Sequence, residues 1–278
     1  MIVRALVILA VAALVFGSSA YFAYDLYWKP RELDEQDKKV QAQIALQGPI
    51  VPPDPGSPAY EKALAARKNG DVVGARQQLL DFLQNFPDST RVAEAKALLG
   101  EINSNAVFST TPSPDKTVYT VGRGDALAKI AGKTKSSAEL IFRVNNLESI
   151  NLQVGQKLLV PQLDTSLAIN RKAHTITLFN KGQFFKEYHL LSLKMPSTPP
   201  GGKAKVQDKF ALHGTTRVAF GSKEYSGAER AVLLPGGLVL RGVPDGTPGP
   251  YPAGLVVSNS DIGEIFLLVS RGTPVTIN

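Results

Sequence analysis

Apolar and polar positions divide the chain into stretches of different period. From Ala5 to Tyr24 (ALVILAVAALVFGSSAYFAY) the residues are uncharged and mostly apolar, which predicts a helix of about 30 Å, long enough to cross a bilayer. Arg4 precedes this run, and Tyr21, Phe22, Tyr24, Tyr27 and Trp28 cluster at its far end before Lys29 and Arg31. That placement suits a cytoplasmic N-terminus and an interfacial aromatic belt. Ser18 and Ala20 also suit the small-residue site of a cleaved leader, so residues 1–28 read as a signal anchor or a signal peptide. Either way the remainder is expected outside the cytoplasm, in the periplasm or cell wall, held by a single membrane pass or secreted after cleavage. Arg31–Leu46 is charged and helix-permitting, whereas the prolines of GPIVPPDPGSP cannot continue a helix. Residues 29–57 therefore read as a stalk and a stiff linker.

Between Ala59 and Asn103 the apolar period becomes helical. Ala75, Leu79, Leu80, Leu83 and Phe86 share one face, and Val92, Ala95, Leu98, Leu99 and Ile102 share the face of the next helix. Gly70-Asp71, Ala75, Leu79 and Pro87 are similar in spacing to a tetratricopeptide unit, with Ala59 at its early aromatic position. Residues 58–105 are expected to form a helical hairpin that spaces the outer domains from the membrane. A groove for a protein partner is the alternative, although such grooves need three or more repeats. Residues 106–116 lie in a Ser/Thr/Pro-rich linker (SNAVFSTTPSPDK, from Ser104).

Tyr119–Pro161 then packs four elements into a short span. Tyr119 and Val121 alternate as a strand, and Gly122 and Gly124 permit a tight turn. Leu127, Ile130 and Ala131 mark a short helix begun at Asp125, Ser136 and Glu139 form a capping box for a second helix, and Leu158 and Val160 alternate in a closing strand. The pieces YTV, GD, NNL and GQKLLVP resemble the LysM module, and the match covers residues 117–162. The resemblance implies a shallow groove for N-acetylglucosamine-containing glycans, lined by Gly124, Asp125, Ala126 and Leu127 on one side and Asn151, Leu152 and Gln153 on the other. Ala126 replaces the family's usual serine or threonine, and Val154 its usual proline. Asp125 is open to two roles, helix cap or sugar contact, and Leu127 to core packing or the groove.

From residue 164 to 278 short alternating segments broken by Gly and Pro predict a β-rich domain. The hairpin HTITLFNKGQFFKEYHL, the segment Ser197-Thr198-Pro199-Pro200-Gly201 and the terminal SNSDIGEIFLLVSRGTPVTI resemble L,D-transpeptidase domains, which cross-link peptidoglycan stem peptides through a cysteine thiolate. By position, the family nucleophile falls on Gly254 and its first histidine on Arg241. Pro252 and Val256 stand where the cysteine turn carries histidine and arginine. Arg241 is open to two roles, holding a stem-peptide carboxylate or making an ordinary structural pair.

The chemistry of the whole chain sharpens this. Its 278 residues contain no cysteine, which excludes thiolate catalysis, disulfides and thiolate metal cages. Loss of such a nucleophile costs about 10⁶ in turnover. The three histidines, His174, His189 and His213, have no metal-ligand spacing, so no metal site or cofactor is expected. Leu212-His213-Gly214-Thr215 lies too far before Gly254 to be a displaced histidine motif. Ser258 as a substitute nucleophile finds no histidine downstream of His213 to serve as base. The formal charge of +7 suits an anionic partner, and export makes the cell wall the expected one and excludes nucleic acid.

The fold expected is multidomain α+β: a membrane helix, a short α-helical hairpin, a βααβ LysM module and a C-terminal β-rich, L,D-transpeptidase-like domain. The function expected is a membrane-anchored peptidoglycan-binding protein with an inactive transpeptidase-like domain, acting in cell-wall organisation. An atypical L,D-transpeptidase or hydrolase and an interaction scaffold localised by LysM are the alternatives.

Overall fold

The computed structural model describes residues 2–47, 53–195 and 202–278. Ser197–Gly201 and residues 48–52 of the linker lie outside the described residues. The chain divides into two compact units, Met1–Pro53 and Asp54–Asn278.

In the first unit α1 (Ile2–Ala23) runs into a π-helical turn (Tyr24–Trp28) and on into α2 (Lys29–Gln47). The wide turn comes just before Pro30, which has no N–H for the helix ladder. Leu9, Phe16 and Phe22 on α1 are exposed. Among the described residues no helix is long and apolar enough to cross a membrane, so the span expected over Ala5–Tyr24 stands as a proposal.

The second unit is α+β, with helices first and a β-rich C-terminal domain after. It opens with three helices rather than a hairpin: α3 (Ser57–Lys68), α4 (Val72–Asn85) and α5 (Val92–Phe108). Their core joins Tyr60, Ala63, Ala75, Leu79, Phe82, Ala95, Leu99 and Ile102. The early aromatic is Tyr60, one residue after Ala59, with its ring centroid 6.1 Å from that of Phe82. Asp71 caps α4 by accepting the Gly74 N–H at 2.8 Å. Asp54 fastens the start of this region to the α4–α5 turn by accepting from Gly56 N, Ser89 Oγ and Thr90 Oγ1 at 3.0, 2.6 and 2.8 Å.

The linker expected over residues 106–116 is shortened by how α5 ends. Asn103, buried, donates to the carbonyls of Phe184 and Phe185 at 3.3 and 2.8 Å, and Lys96 pairs with Glu187 at 2.9 Å. Val107 joins the core of the C-terminal domain. The helix therefore continues three residues into the expected 106–116 linker and docks on the following domain, because Val107 and Phe108 gain more from that burial than from solvation.

A two-stranded ribbon with two helices follows: β1 (Lys116–Thr120), α6 (Leu127–Thr134), α7 (Ala138–Val144) and β2 (Lys157–Pro161). The strands pair antiparallel from Lys116↔Pro161 to Thr120↔Lys157. Val121, Leu127, Ile130, Ala131, Ile141, Leu158 and Val160 form its core. The cap of α7 is Ser137, whose Oγ accepts the Leu140 N–H at 3.2 Å, and not Ser136. Helix α7 has two apolar faces: Ile141 belongs to the ribbon's core, while Leu140 and Val144 belong to the core of the domain that follows.

That domain has two sheets around one core. One, in the order β5-β4-β3-β13-β7, contains β3 (Thr165–Asn170), β4 (Thr175–Asn180), β5 (Gln183–His189), β7 (Gly202–Lys205) and β13 (Pro274–Ile277). The other, in the order β6-β12-β11-β10-β8-β9, contains β6 (Ser192–Lys194), β8 (Asp208–His213), β9 (Thr216–Val218), β10 (Glu229–Leu233), β11 (Val239–Val243) and β12 (Gly254–Ser258). Helix α8 (Asn259–Leu268) packs on this second sheet, and Gly242 allows the close approach: a Cβ there would lie 2.4 Å from Ile262 Cγ2.

Candidate functional site

The two loops singled out in the sequence leave the same end of the β1–β2 ribbon. Beyond the last strand pair, Val121 N donates to Gln156 O at 2.9 Å and Gly155 N donates to Val121 O at 2.8 Å. The chain 122–126 therefore runs beside the chain 151–155. Gly124, at φ +76°, makes the turn that a side-chain-bearing residue would strain.

The seven predicted groove residues separate into exposed and structural ones. Gly124, Ala126, Asn151 and Gln153 are exposed. Leu127 is core at 3% exposure, and Leu152 is half-buried against the same core. Asp125 is neither cap nor free acceptor: α6 is capped at Ala126 without a side-chain bond, and the Asp125 side chain is only 5% exposed. Its carboxylate accepts from Gly122 N at 2.9 Å, Tyr119 Oη at 2.8 Å and Lys133 Nζ at 2.9 Å. These bonds, the Gly122 N–H foremost, hold its pKa down to about 2, and the pairing raises Lys133 in turn. Asp125 thus fixes the shape of the turn that presents Gly124 and Ala126.

On the opposite loop, Asn151 N donates to Ser149 Oγ and Gln153 N to Gln156 Oε1, both at 3.1 Å. The Asn151 and Gln153 side chains remain available to hydroxyl and acetamido groups. Their neighbours Ile150 and Val154, neither of them among the seven, are exposed at 44% and 71%.

The second set of positions lies in the six-stranded sheet. Arg241 on β11 is in register with Val256 on β12. Val256 is fully buried, Pro252 is exposed in the preceding loop, and Gly254 starts β12 at φ +105°. Arg241 is half-buried, and its Nε finds no hydrogen-bond partner among the described residues. His213 closes the β8–β9 hairpin, and β10 and β11 stand between β8 and β12. Ser258 Oγ caps α8 by accepting the Asp261 N–H at 3.0 Å. Among the described residues no hydrogen bond joins Ser258 to a histidine.

Residues 119–161 match the family model of the LysM domain. The match spans the βααβ unit from β1 to β2. No curated protein matches the chain. Among solved structures it is similar to an L,D-transpeptidase from Mycobacterium smegmatis, at 15% identity and TM-score 0.30, over 45% of this chain and 64% of that one. It is also similar to L,D-transpeptidase 1 from Mycobacterium tuberculosis, at 15% identity and TM-score 0.29, over 44% and 77%. A third is an L,D-transpeptidase (Yku) from Stackebrandtia nassauensis, at 12% identity and TM-score 0.31, over 72% and 76%. The chain spans under two thirds of the first of these, and likeness of this extent fixes neither activity nor substrate.

Within the LysM module a further asparagine, Asn145, holds the groove's foundation. Its Nδ2 donates to Leu159 O and its Oδ1 accepts from Leu159 N, both at 2.8 Å, so one side chain replaces a missing strand neighbour for β2. The sequence places Asn145 in the NNL piece without revealing this bond.

Proposed function

We propose that the protein is a membrane-anchored, extracytoplasmic peptidoglycan-binding protein that acts in cell-wall organisation. The LysM module grips glycan, and the β-rich domain is an inactive, transpeptidase-like second contact. The observation that carries the reading is the match of residues 119–161 to the LysM domain, together with an exposed pair of loops bearing Asn151 and Gln153. Absence of cysteine, and a Gly254 with no room for a side chain, support the inactive half. The uncharged run Ala5–Tyr24 supports the anchor.

Sedimentation of the purified full chain with isolated peptidoglycan tests the first element. The protein is expected in the pellet at physiological salt, and its persistence in the supernatant at every ionic strength would overturn the reading. Incubation with muropeptides, followed by mass spectrometry, is expected to give no new product. An export-dependent reporter fused after Lys29 is expected to be active, whereas activity of a cytoplasm-only reporter there would remove the anchor.

A further inference from the structure

A cavity of about 630 Å³ lies between α7 of the LysM module and the C-terminal domain, within the size range of ligand pockets. One wall is aromatic. Phe142 of α7 meets Phe220 edge to face at 5.4 Å, and Phe220 meets Tyr225 in the same way at 5.2 Å. Burial, helped by Glu139, pushes the Tyr225 phenol up to about 12, so it stays a neutral hydrogen-bonding group. The C-terminal loop closes tightly on the groove loop of the LysM module: a Cβ on Gly221, at φ +89°, would lie 2.9 Å from Ile150 Cδ1. Ile150 lines the cavity and immediately precedes Asn151, so cavity and groove loop adjoin.

The lining also carries charged groups, two of them already engaged. Glu139 pairs with Lys209 at 3.7 Å. Arg230 is occupied, donating to the carbonyls of Ala228 and Tyr225. Arg143, Lys223 and Glu148 also line the cavity; Arg143 donates to Asn146 Oδ1 at 3.4 Å, and none of the three makes an ion pair among the described residues. The Ser222 hydroxyl is buried there without a hydrogen-bond partner among the described residues. A neutral amino-sugar polymer would use the rings and leave these charges unsatisfied, whereas a charged peptide would use both.

We propose that this cavity receives the peptide substituent of a peptide-bearing glycan whose sugar chain lies on the LysM loops. Apolar side chains of the peptide rest on Phe142 and Phe220, its carboxylates meet Arg143 and Lys223, and its free amine meets Glu148. The proposal rests on the glycan-binding reading above, and makes the protein selective for peptide-substituted over bare glycan.

The test is calorimetric titration of the full chain in detergent with two soluble probes of equal sugar length, a chito-oligosaccharide and a peptidoglycan fragment carrying its peptides. The wild type is expected to bind the peptide-bearing probe about tenfold more tightly. Arg143→Glu combined with Lys223→Glu, and Phe220→Ala separately, are expected to remove that difference, with melting curves confirming that the variants fold. Equal wild-type affinity for the two probes overturns this proposal and leaves glycan binding intact. A preference that survives the charge reversal also overturns it. Binding of neither probe overturns the glycan-binding reading itself.

Discussion

A Cβ on Gly254 would lie 2.3 Å from the carbonyl oxygen of Val239, and the glycine's φ of +105° is one that side-chain-bearing residues rarely adopt. Position 254 is where resemblance to L,D-transpeptidases puts the cysteine, so the strand that would present a thiol is packed shut against β11. Gly254→Ala and Gly254→Cys are therefore expected to destabilise the protein by about 2–4 kcal/mol, read as a shifted midpoint in denaturant. Installing the thiol with Arg241→His, Pro252→His and Val256→Arg is expected to produce unfolding rather than a reactive cysteine, since Val256 is itself fully buried. A wild-type midpoint for Gly254→Ala would refute this packing.

Asp125 gives the LysM module a defined acid sensitivity. Its carboxyl is held at about 2 against an ordinary 3.8, so the folded state binds its proton more weakly than the unfolded chain does. The stability this contributes is fully present above about pH 4 and is lost as pH falls towards 2. Asp54, held at about 2 mainly by the Ser89 hydroxyl and the Gly56 N–H, adds to the same window. Melting temperature measured from pH 7 to 2 is expected to fall most steeply below pH 4. Asp125→Asn should lower the plateau at pH 7 and reduce the acid slope, leaving the Asp54 share. An unchanged slope would show that the Gly122 and Lys133 bonds do not persist in solution.

Asn145→Ala should leave both backbone groups of Leu159 unpaired on the inner side of β2. The expected cost is about 1–3 kcal/mol, measured by denaturant unfolding. Peptidoglycan pelleting should fall only as far as the folded fraction falls, because Asn145 supports the groove from beneath. A variant of wild-type stability that no longer pellets would instead make Asn145 a ligand-contacting residue.

The groove loops separate binding from folding. Asn151→Ala and Gln153→Ala remove exposed amides and are expected to weaken pelleting several-fold without moving the melting temperature. Leu152→Ala removes a side chain that packs on the module's core and should lower both. Full retention of binding in the Asn151→Ala, Gln153→Ala double variant would move the glycan site elsewhere.

Which features are legible in the sequence follows from how local their causes are. The strand, helix, helix, strand order of residues 119–161 can be read directly, because turn glycines and apolar spacing act over a few residues. Caps are read only to within a position: Ser136 and Ser137 look alike until one of them faces the Leu140 N–H. Asp125 looks like a cap from its place before a helix, and only the fold brings Lys133 and Tyr119 to its carboxylate. The docking of α5 is hidden for a similar reason. Asn103 is polar and reads as a helix end, yet its partners are carbonyls some eighty positions away on β5. The cavity is less legible still, since Phe142, Phe220 and Phe266 lie far apart in the chain and only the meeting of two domains puts them on one cavity.

The docking of α7 changes what an isolated module can do. Leu140 and Val144 are 3% and 0% exposed in the whole protein, but they belong to the core of the C-terminal domain and not to that of the LysM module. Cutting the chain to Lys116–Gln162 would bare both side chains, at about 1.5–3 kcal/mol of lost burial for each, in a unit small enough that its own core leaves little margin. The excised fragment is expected to melt well below the full chain or to self-associate, and to pellet with peptidoglycan less efficiently. Leu140→Lys with Val144→Glu, made only in the fragment, should restore solubility, because Ile141 and not these two residues fills the module's own core. A wild-type fragment that stays monomeric and melts with the full chain would show that α7 does not bridge the two cores in solution.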